Sequence, residues 1–261
     1  MKDAFTYDVA EFRQGCFQPV QTTVIQEIPL TIYLNGHEII TLLSTGKEPG
    51  FLAVGFLKCN GLITDRSQLK KIHVKEDSER LEVYVEAGQS DFGLPPAGHS
   101  TESGWQKGKN FKQNVKTLCS KKVTENLIVT PEQLLRLAEG LSERSALYRI
   151  TGGCHNSLLA TPEKIVLFHQ DIGRHNAIDM ICGQCFLDRI SAHDKLIVTT
   201  GRVTSEILLK VIRIGVPVLA SISAATRLAI ELARKTNMTL VGRLKQERIV
   251  VYSNGGRIAG L

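Results

Sequence analysis

Asp171-Ile172-Gly173-Arg174-His175-Asn176 joins an apolar, strand-like run from Ile165 to Phe168 to a helical pattern that begins near Ala177. A strand-to-helix turn of this composition crowds an acid, a guanidinium, an imidazole and an amide around one glycine. In open α/β sheets, ligands bind outside the carboxyl ends of the strands, where such turns lie. Other seams follow the same logic. Thr151-Gly152-Gly153-Cys154-His155-Asn156 precedes the first strand of the series, and Thr200-Gly201-Arg202-Val203-Thr204-Ser205-Glu206 joins a strand to a helix. Ser221-Ile222-Ser223-Ala224-Ala225-Thr226 does so again, and Arg243, Lys245 and Arg248 lie between the last two strands.

Working outward, apolar runs at Leu196 to Thr200, Val216 to Ser221, Thr239 to Val241 and Ile249 to Tyr252 alternate with helical periods at 176–189, 203–214 and 225–236. Strands that alternate with helices predict a layered α/β sheet. Ahead of them, Thr130-Pro131-Glu132-Gln133 combines an N-cap, a proline at the first helical position and a capping-box glutamine, so a helix should run to about Arg144. The first ninety residues are β-rich with one helix. Ile28 to Leu34 and His37 to Leu43 flank Asn35-Gly36 as a hairpin, because Asn-Gly accepts the positive φ angles of a tight turn. Glu48 to Cys59 reads as the helix, and Leu69 to Val74 and Leu81 to Glu86 as strands. Gly88 to Lys122, rich in turn formers and lysines, reads as a mobile, solvated connection. The expected organisation is a β-rich α+β domain over 1–115, with the mobile loop at about 89–122, and an α/β domain over 116–261.

With 261 residues the chain can bury a substantial core. Its 43% hydrophobic and 22% charged content excludes long disorder. A net charge of +6 and a pI near 9.0 suit anionic partners without choosing among them. No signal-peptide pattern opens the chain. The longest apolar stretch, Ile214 to Ala233, is broken by Arg227 and Glu231 and reads as a buried strand followed by an amphipathic helix, so no membrane partner is expected and the cytoplasm is the default location. Cysteines at 16, 59, 119, 154, 182 and 185 do not form a dense disulfide framework.

Free backbone amides at helix starts favour anions, and arginine adds bidentate donors suited to phosphate. Any one Ser, Thr or Gly at a seam is explained by capping and turn preference alone. His155 and His175, taken singly, are open between buried structural histidines and ligand contacts. The recurrence of Arg174, Arg202, Arg243, Lys245 and Arg248 across three of the seams points instead to a cradle for a phosphate-rich ligand. Nucleic acid is not expected, since the basic residues are scattered and no aromatic platform accompanies them.

Cys182-Gly183-Gln184-Cys185 has the spelling of a redox pair. Helical spacing puts both thiols on one face beside Ile181 and Phe186, which favours packing. Cys154-His155-Asn156 with Cys182 and Cys185 loosely imitates a nucleobase deaminase, but Asn156 stands where a proton-shuttling Glu is required. No metal ligands are assigned, and a zinc deaminase-like enzyme is the weaker alternative.

Taken together, Thr-Gly-Gly-x-His at 151–155, Asp-Ile-Gly-Arg-His-Asn-Ala-x-Asp at 171–179, Gly-Arg-Val-x-Ser-Glu at 201–206 and Thr-Leu-Val-Gly at 239–242 resemble the FdhD/NarQ family of formate dehydrogenase accessory sulfurtransferases. Glu27-Ile28-Pro29-Leu30, Asn35-Gly36 and Leu52-Ala53-Val54-Gly55-Phe56-Leu57 extend the likeness forward, so it runs from about Glu27 to Tyr252. The resemblance implies a cytidine-deaminase-like three-layer α/β fold for the second domain. It implies a sulfurtransferase that takes persulfide sulfur from a cysteine desulfurase and passes it to Mo-bis-molybdopterin guanine dinucleotide, for the catalytic subunit of formate dehydrogenase. The family's cofactor-binding segment falls on Arg243, Leu244, Lys245, Gln246, Glu247 and Arg248, where guanine nucleotides can also sit. His155, Asp171, Arg174, His175, Asn176, Arg202, Ser223 and Thr226 complete the candidate set. A cofactor with two guanine dinucleotide arms invites a homodimer.

The family's persulfide cysteine lies in a Cys-Gly-x-Cys-Gly element ahead of the capped helix. Here the segment is Leu118-Cys119-Ser120-Lys121-Lys122, which lacks both glycines and carries Lys122 in place of the second cysteine. Cys119 is therefore the candidate catalytic thiol, and Lys116, Lys121 and Lys122 favour its thiolate. A single thiol can accept and hand on sulfur but cannot resolve its persulfide through a neighbour. The alternative is a non-catalytic chaperone that only binds the cofactor. Ser223-Ala224-Ala225-Thr226 also departs from the family, carrying alanine where proline is common; alanine restores a backbone N–H and frees φ.

Overall fold

Asn35 and Gly36 adopt φ of 52° and 82°, the positive values that a two-residue hairpin requires. In this computed structural model, which describes residues 3–77, 79–88 and 122–261, they join β3 (Ile28–Leu34) to β4 (His37–Ser44). With β5 (Leu69–Glu76) and β6 (Leu81–Ala87) these make a four-stranded sheet of order β4-β3-β6-β5. Alternate residues of β3, Ile28, Leu30, Ile32 and Leu34, are buried beneath α1 (Pro49–Cys59). Only the β3–β6 pair is parallel.

The second sheet has order β12-β11-β10-β9-β7-β8. Its strands are β7 (His155–Ala160), β8 (Ile165–Asp171), β9 (Leu196–Thr199), β10 (Val218–Ser221), β11 (Thr239–Lys245) and β12 (Arg248–Ser253). β9, β10 and β11 run parallel, β7 is antiparallel to both of its neighbours, and β12 is antiparallel to β11. Helices cover both faces, as the alternating pattern predicts. α2 (Pro131–Arg144) packs Leu134, Leu137 and Leu141 against Leu158 and Val198 on one face. α4 (Arg174–Asp188), α5 (Ser205–Ile214) and α6 (Arg227–Lys235) pack Ile178, Ile207 and Leu232 against Leu159 and Leu219 on the other. Successive residues Leu158 and Leu159 thus serve opposite cores, the period of two that a strand covered on both sides imposes. The expected capping box starts α2: Gln133 N donates to Thr130 Oγ1 at 3.2 Å and Thr130 N donates to Gln133 Oε1 at 2.8 Å.

Three elements depart from the sequence reading. Residues ahead of Ile28 form a ribbon, β1 (Ala4–Arg13) paired with β2 (Cys16–Ile25), whose Phe5, Tyr7 and Phe12 are exposed. A short helix, α3 (Ala146–Thr151), follows α2. The segment read as a seam before the first strand instead begins one, β7, because Ser157 Oγ and Thr199 Oγ1 lie 2.8 Å apart across two strands and let polar residues sit inside the sheet. Among the described residues no helix is long and apolar enough to cross a membrane.

α1 and α4 cross at glycines. A Cβ on Gly55 would lie 1.7 Å from the Asp179 carbonyl oxygen, and one on Gly183 would lie 1.9 Å from that of Phe51. Gly183 is the glycine of the Cys-Gly-x-Cys spelling, so that motif is a helix contact. Beside it Lys210 of α5 pairs with buried Asp179 of α4, with its ammonium 5.6 Å from the Phe56 ring of α1. Arg213 Nη1 donates to the carbonyl of Cys59 at 2.6 Å, placing a cation at the α1 carboxyl end.

Replacing Gly55 by Ala should lower the stability measured by urea unfolding by about 1–3 kcal/mol or more, the range for overpacked sites. Gly50→Ala in the same helix, where an added Cβ meets nothing within 4 Å, should leave the midpoint unchanged or slightly raised. Equal effects at both positions would mean that the crossing is not close-packed.

Candidate functional site

Because β8 runs parallel to β9, β10 and β11, their carboxyl ends share one edge of the sheet with the start of the antiparallel β7. That edge gathers the predicted seams. A cavity of about 890 Å³ opens between it and the α2–α3 pair. His155, Asn156, Thr200, Ile222, Lys245 and Gln246 line it from the sheet; Leu135, Ala138, Glu139, Ser142, Tyr148 and Arg149 line it from the helices.

At the start of β7 the charges acting on His155 are positive. Burial holds the His155 imidazole below its ordinary pKa, and Arg174, His175 and Arg202 nearby depress it further. His155 Nδ1 sits 3.4 Å from Thr200 Oγ1, which also accepts from the Asn156 backbone N–H at 3.0 Å. His175 is likewise lowered, chiefly by burial. Its Nε2 lies 3.3 Å from Glu206 Oε2 but off the line of a hydrogen bond. Arg174 is wedged against Gly201, where an added Cβ would meet the arginine Cβ at 2.7 Å, and its Nε is buried without a partner. Asn156 Nδ2 is buried and unpartnered as well. Buried polar atoms are normally paired, and of these residues Asn156 lines the cavity while Arg174 and His175 are outside its lining.

The turn between β11 and β12 brings the predicted basic segment to the same edge. Arg243 and Gln246 adopt φ of 51° and 54°, and the β11–β12 register shifts between Gly242 and Lys245. This bulge exposes Arg243 and Lys245 on either side of buried Leu244, and Glu247 and Arg248 are exposed beyond them. Arg243 N donates to Ser223 O at 2.7 Å, which ties this turn to the preceding seam. Thr226 caps α6, its Oγ1 accepting from Ala229 N at 3.4 Å.

Leu244 is buried beneath α2 and still lines the cavity between exposed Arg243 and Lys245. Two predicted contacts have other roles. Asp171 is fully buried: Thr45 N and Oγ1 donate to one carboxylate oxygen at 2.9 and 3.1 Å, Gly173 N and Asn176 Nδ2 to the other at 3.1 and 2.7 Å. Asn176 Nδ2 also donates to Leu43 O at 2.8 Å. These two residues latch the loop after β4 onto the start of α4, and their polar groups are spent within the chain. Burial pushes the Asp171 carboxyl upward despite its donors.

Cys119 lies outside the described residues, as does the loop from 89 to 121. Of the other thiols, Cys16 is exposed on the ribbon, while Cys59, Cys154, Cys182 and Cys185 are buried. Burial pushes Cys154 up to about 11 and Cys185 up to about 12, and holds Cys59, in contact with Cys182, well above the usual thiol range. Such thiols are poor nucleophiles at neutral pH. Among the described residues no three His, Cys, Asp or Glu side chains gather as a metal site. The sequence reading missed the helical wall of the cavity. Its signal is the i, i+3, i+4, i+7 spacing of Leu135, Ala138, Glu139 and Ser142, which is one face of a helix.

The FdhD/NarQ family model matches residues 25–259. The chain is 37% identical over 259 residues to the sulfur carrier protein FdhD of Bacillus subtilis, covering 96% of each. It is 38% identical over 256 residues to that of Geobacillus kaustophilus, covering 96% of this chain and 95% of that protein. A crystal structure from Desulfotalea psychrophila, described as a formate dehydrogenase accessory protein, superposes with a TM-score of 0.80 at 25% identity, covering 98% of this chain and 100% of that one.

His155 and His175 prefer the neutral form in the folded chain, so the unfolded chain binds more protons below pH 6.5 and their contribution to stability is lost as pH falls from that point. The urea midpoint should drop between pH 7.5 and 5.5, by at most about 1.4 kcal/mol per histidine for each pH unit. His155→Gln should narrow the drop; an undiminished drop would mean that His155 titrates alike folded and unfolded.

Proposed function

The chain belongs to the FdhD/NarQ family, and we propose that it is a sulfur carrier for formate dehydrogenase maturation. The observation that carries this reading is likeness to named sulfur carriers along 96% of the chain. In the proposed reaction a cysteine desulfurase presents a persulfide. The Cys119 thiolate attacks its terminal sulfur, the donor S–S bond breaks, the desulfurase leaves as a thiolate, and Cys119 holds the sulfur as its own persulfide. That sulfur then passes to Mo-bis-molybdopterin guanine dinucleotide, the cargo, destined for the catalytic subunit of formate dehydrogenase.

The edge of the second sheet suits such a cargo. Arg174, Arg202, Arg243, Lys245 and Arg248 would neutralise its pyrophosphates, and His155 and His175 would supply further polar contacts. The unpartnered Asn156 Nδ2, on a residue that lines the cavity, favours a ligand with an acceptor there. Helices on both faces of the sheet are consistent with a cytidine-deaminase-like assignment, with the second domain beginning near residue 116. A cytoplasmic homodimer holding one guanine dinucleotide arm per subunit completes the reading.

Peptide mass spectrometry after incubation with a cysteine desulfurase and cysteine tests it. One reducible extra sulfur should appear on the Cys119 peptide and vanish in Cys119→Ala, with Cys182→Ala/Cys185→Ala unaffected. Sulfur that survives Cys119→Ala but is lost with Cys16→Ala would move the carrier thiol to the ribbon. No sulfur on any peptide would favour the chaperone that only binds cofactor, the reading that Lys122 in place of the second cysteine supports.

A further inference from the structure

At its root the β1–β2 ribbon meets the body through Ile25, whose Cγ2 would lie 2.7 Å from a Cβ on Gly153, and through the ion pair of Asp3 with Lys47. Strand pairing sorts the ribbon's side chains onto two faces. Ile25 shares one face with Ala4, Thr6, Thr23 and the hydrogen-bonded Asp8 and Gln21, so the body lies on that side. The other face carries Phe5 opposite Val24, Tyr7 opposite Thr22 and Val9 opposite Val20. Phe5, Tyr7, Val9 and Val24 are all exposed, Tyr7 by 56%. A two-stranded ribbon is marginally stable alone in water and needs a further layer on an apolar face. The body, packed at the opposite face, does not supply that layer.

Charge and length select the occupant. An anionic lipid surface calls for a basic ribbon, whereas residues 4–25 hold Asp8 and Glu11 against Arg13 alone. A second copy of the chain fits. Along the apolar face Phe5, Tyr7 and Val9 lie nearer the root and Glu11 and Arg13 lie at the tip, while Asp3 and Lys47 pair at the root at 2.5 Å. Turned end for end, two ribbons set an acid and a base at each tip against an acid and a base at the other's root, with the apolar residues between. Strands of ten residues at about 3.3 Å each make a ribbon about 33 Å long and about 10 Å wide, so the stack buries on the order of 1,000 Å² in total, the low end for a specific contact.

We infer that the Phe5, Tyr7 and Val9 face is a dimer contact, with two ribbons stacked antiparallel about a two-fold axis near Tyr7. The inference rests on the homodimer proposed above and assigns its interface. The modest area makes the association reversible.

Sedimentation equilibrium of the full chain tests it. Wild type should pass from monomer to dimer as its concentration rises through the micromolar range. Phe5→Ser/Tyr7→Ser should weaken association at least about tenfold. Phe12→Ser/Phe17→Ser, which removes the ring pair 5.1 Å apart at the tip of the opposite face, should not, and both variants should melt with wild type in dilute solution. A nitroxide on Cys16, the exposed thiol among the described residues, in a Cys119→Ala chain that still dimerises reads the arrangement. Antiparallel ribbons hold the two labels about 30–40 Å apart, and a separation under about 20 Å overturns the antiparallel stack. A dimer undiminished by Phe5→Ser/Tyr7→Ser overturns the inference and leaves the homodimer on another surface, whereas a wild-type chain that is monomeric at about 100 μM overturns both.

Discussion

The contact between Gly55 of α1 and Gly183 of α4 is the constraint on which the rest of the molecule depends. Helix axes come this close only where both helices lack a side chain at the crossing, and here each glycine meets the backbone of the other helix. The close approach lets α4 serve two cores. Ile178 and Ile181 pack with the second sheet, while Met180 packs with β3, β6 and α1. Asp179, between them, is held by Lys210, whose charge is stabilised by the carboxylate against the burial that opposes it. A buried ion pair adds little net stability over an apolar replacement but is costly to break, so it favours one arrangement of α1, α4 and α5 over slipped alternatives.

The position of the candidate site follows from that arrangement. The Asp171 latch to Thr45 and Asn176 fixes the first turn of α4 relative to the four-stranded sheet. Arg174 and His175, the next residues, are then aimed along the sheet edge toward His155 and Arg202. The β11 bulge presents Arg243 and Lys245 at the same edge, and Lys245 lines the cavity. Burial disfavours the charged form of both histidines, and an arriving polyanion would favour their protonation.

Much of this was legible in the residues. The seams and the cap at Thr130 carried local signals, Asn-Gly turn chemistry and Thr-Pro capping, that tertiary context did not override. The Asp171-to-Asn176 stretch reads in sequence as a ligand-binding turn, whereas Asp171 and Asn176 position the loop after β4; nothing in a hexapeptide reveals a partner 126 residues earlier at Thr45. The ribbon was missed because its apolar residues are exposed and no buried face marks its register. β7 was missed because Asn156 and Ser157 interrupt the apolar run that would announce a strand, and their partners are supplied by β9. The role of Gly183 lay hidden inside the spelling of a redox motif, since a close helix crossing is a property of two segments at once.

Formate dehydrogenase activity in cells that lack their own carrier of this family, supplied with this chain or its Cys119→Ala variant at equal soluble levels, tests the sulfur-carrier reading most directly. The wild-type chain should restore activity, and the variant should leave it near background while guanosine diphosphate binding is retained. Full activity from the Cys119→Ala chain would contradict it and leave cofactor binding, without sulfur transfer from that thiol, as the function of the site.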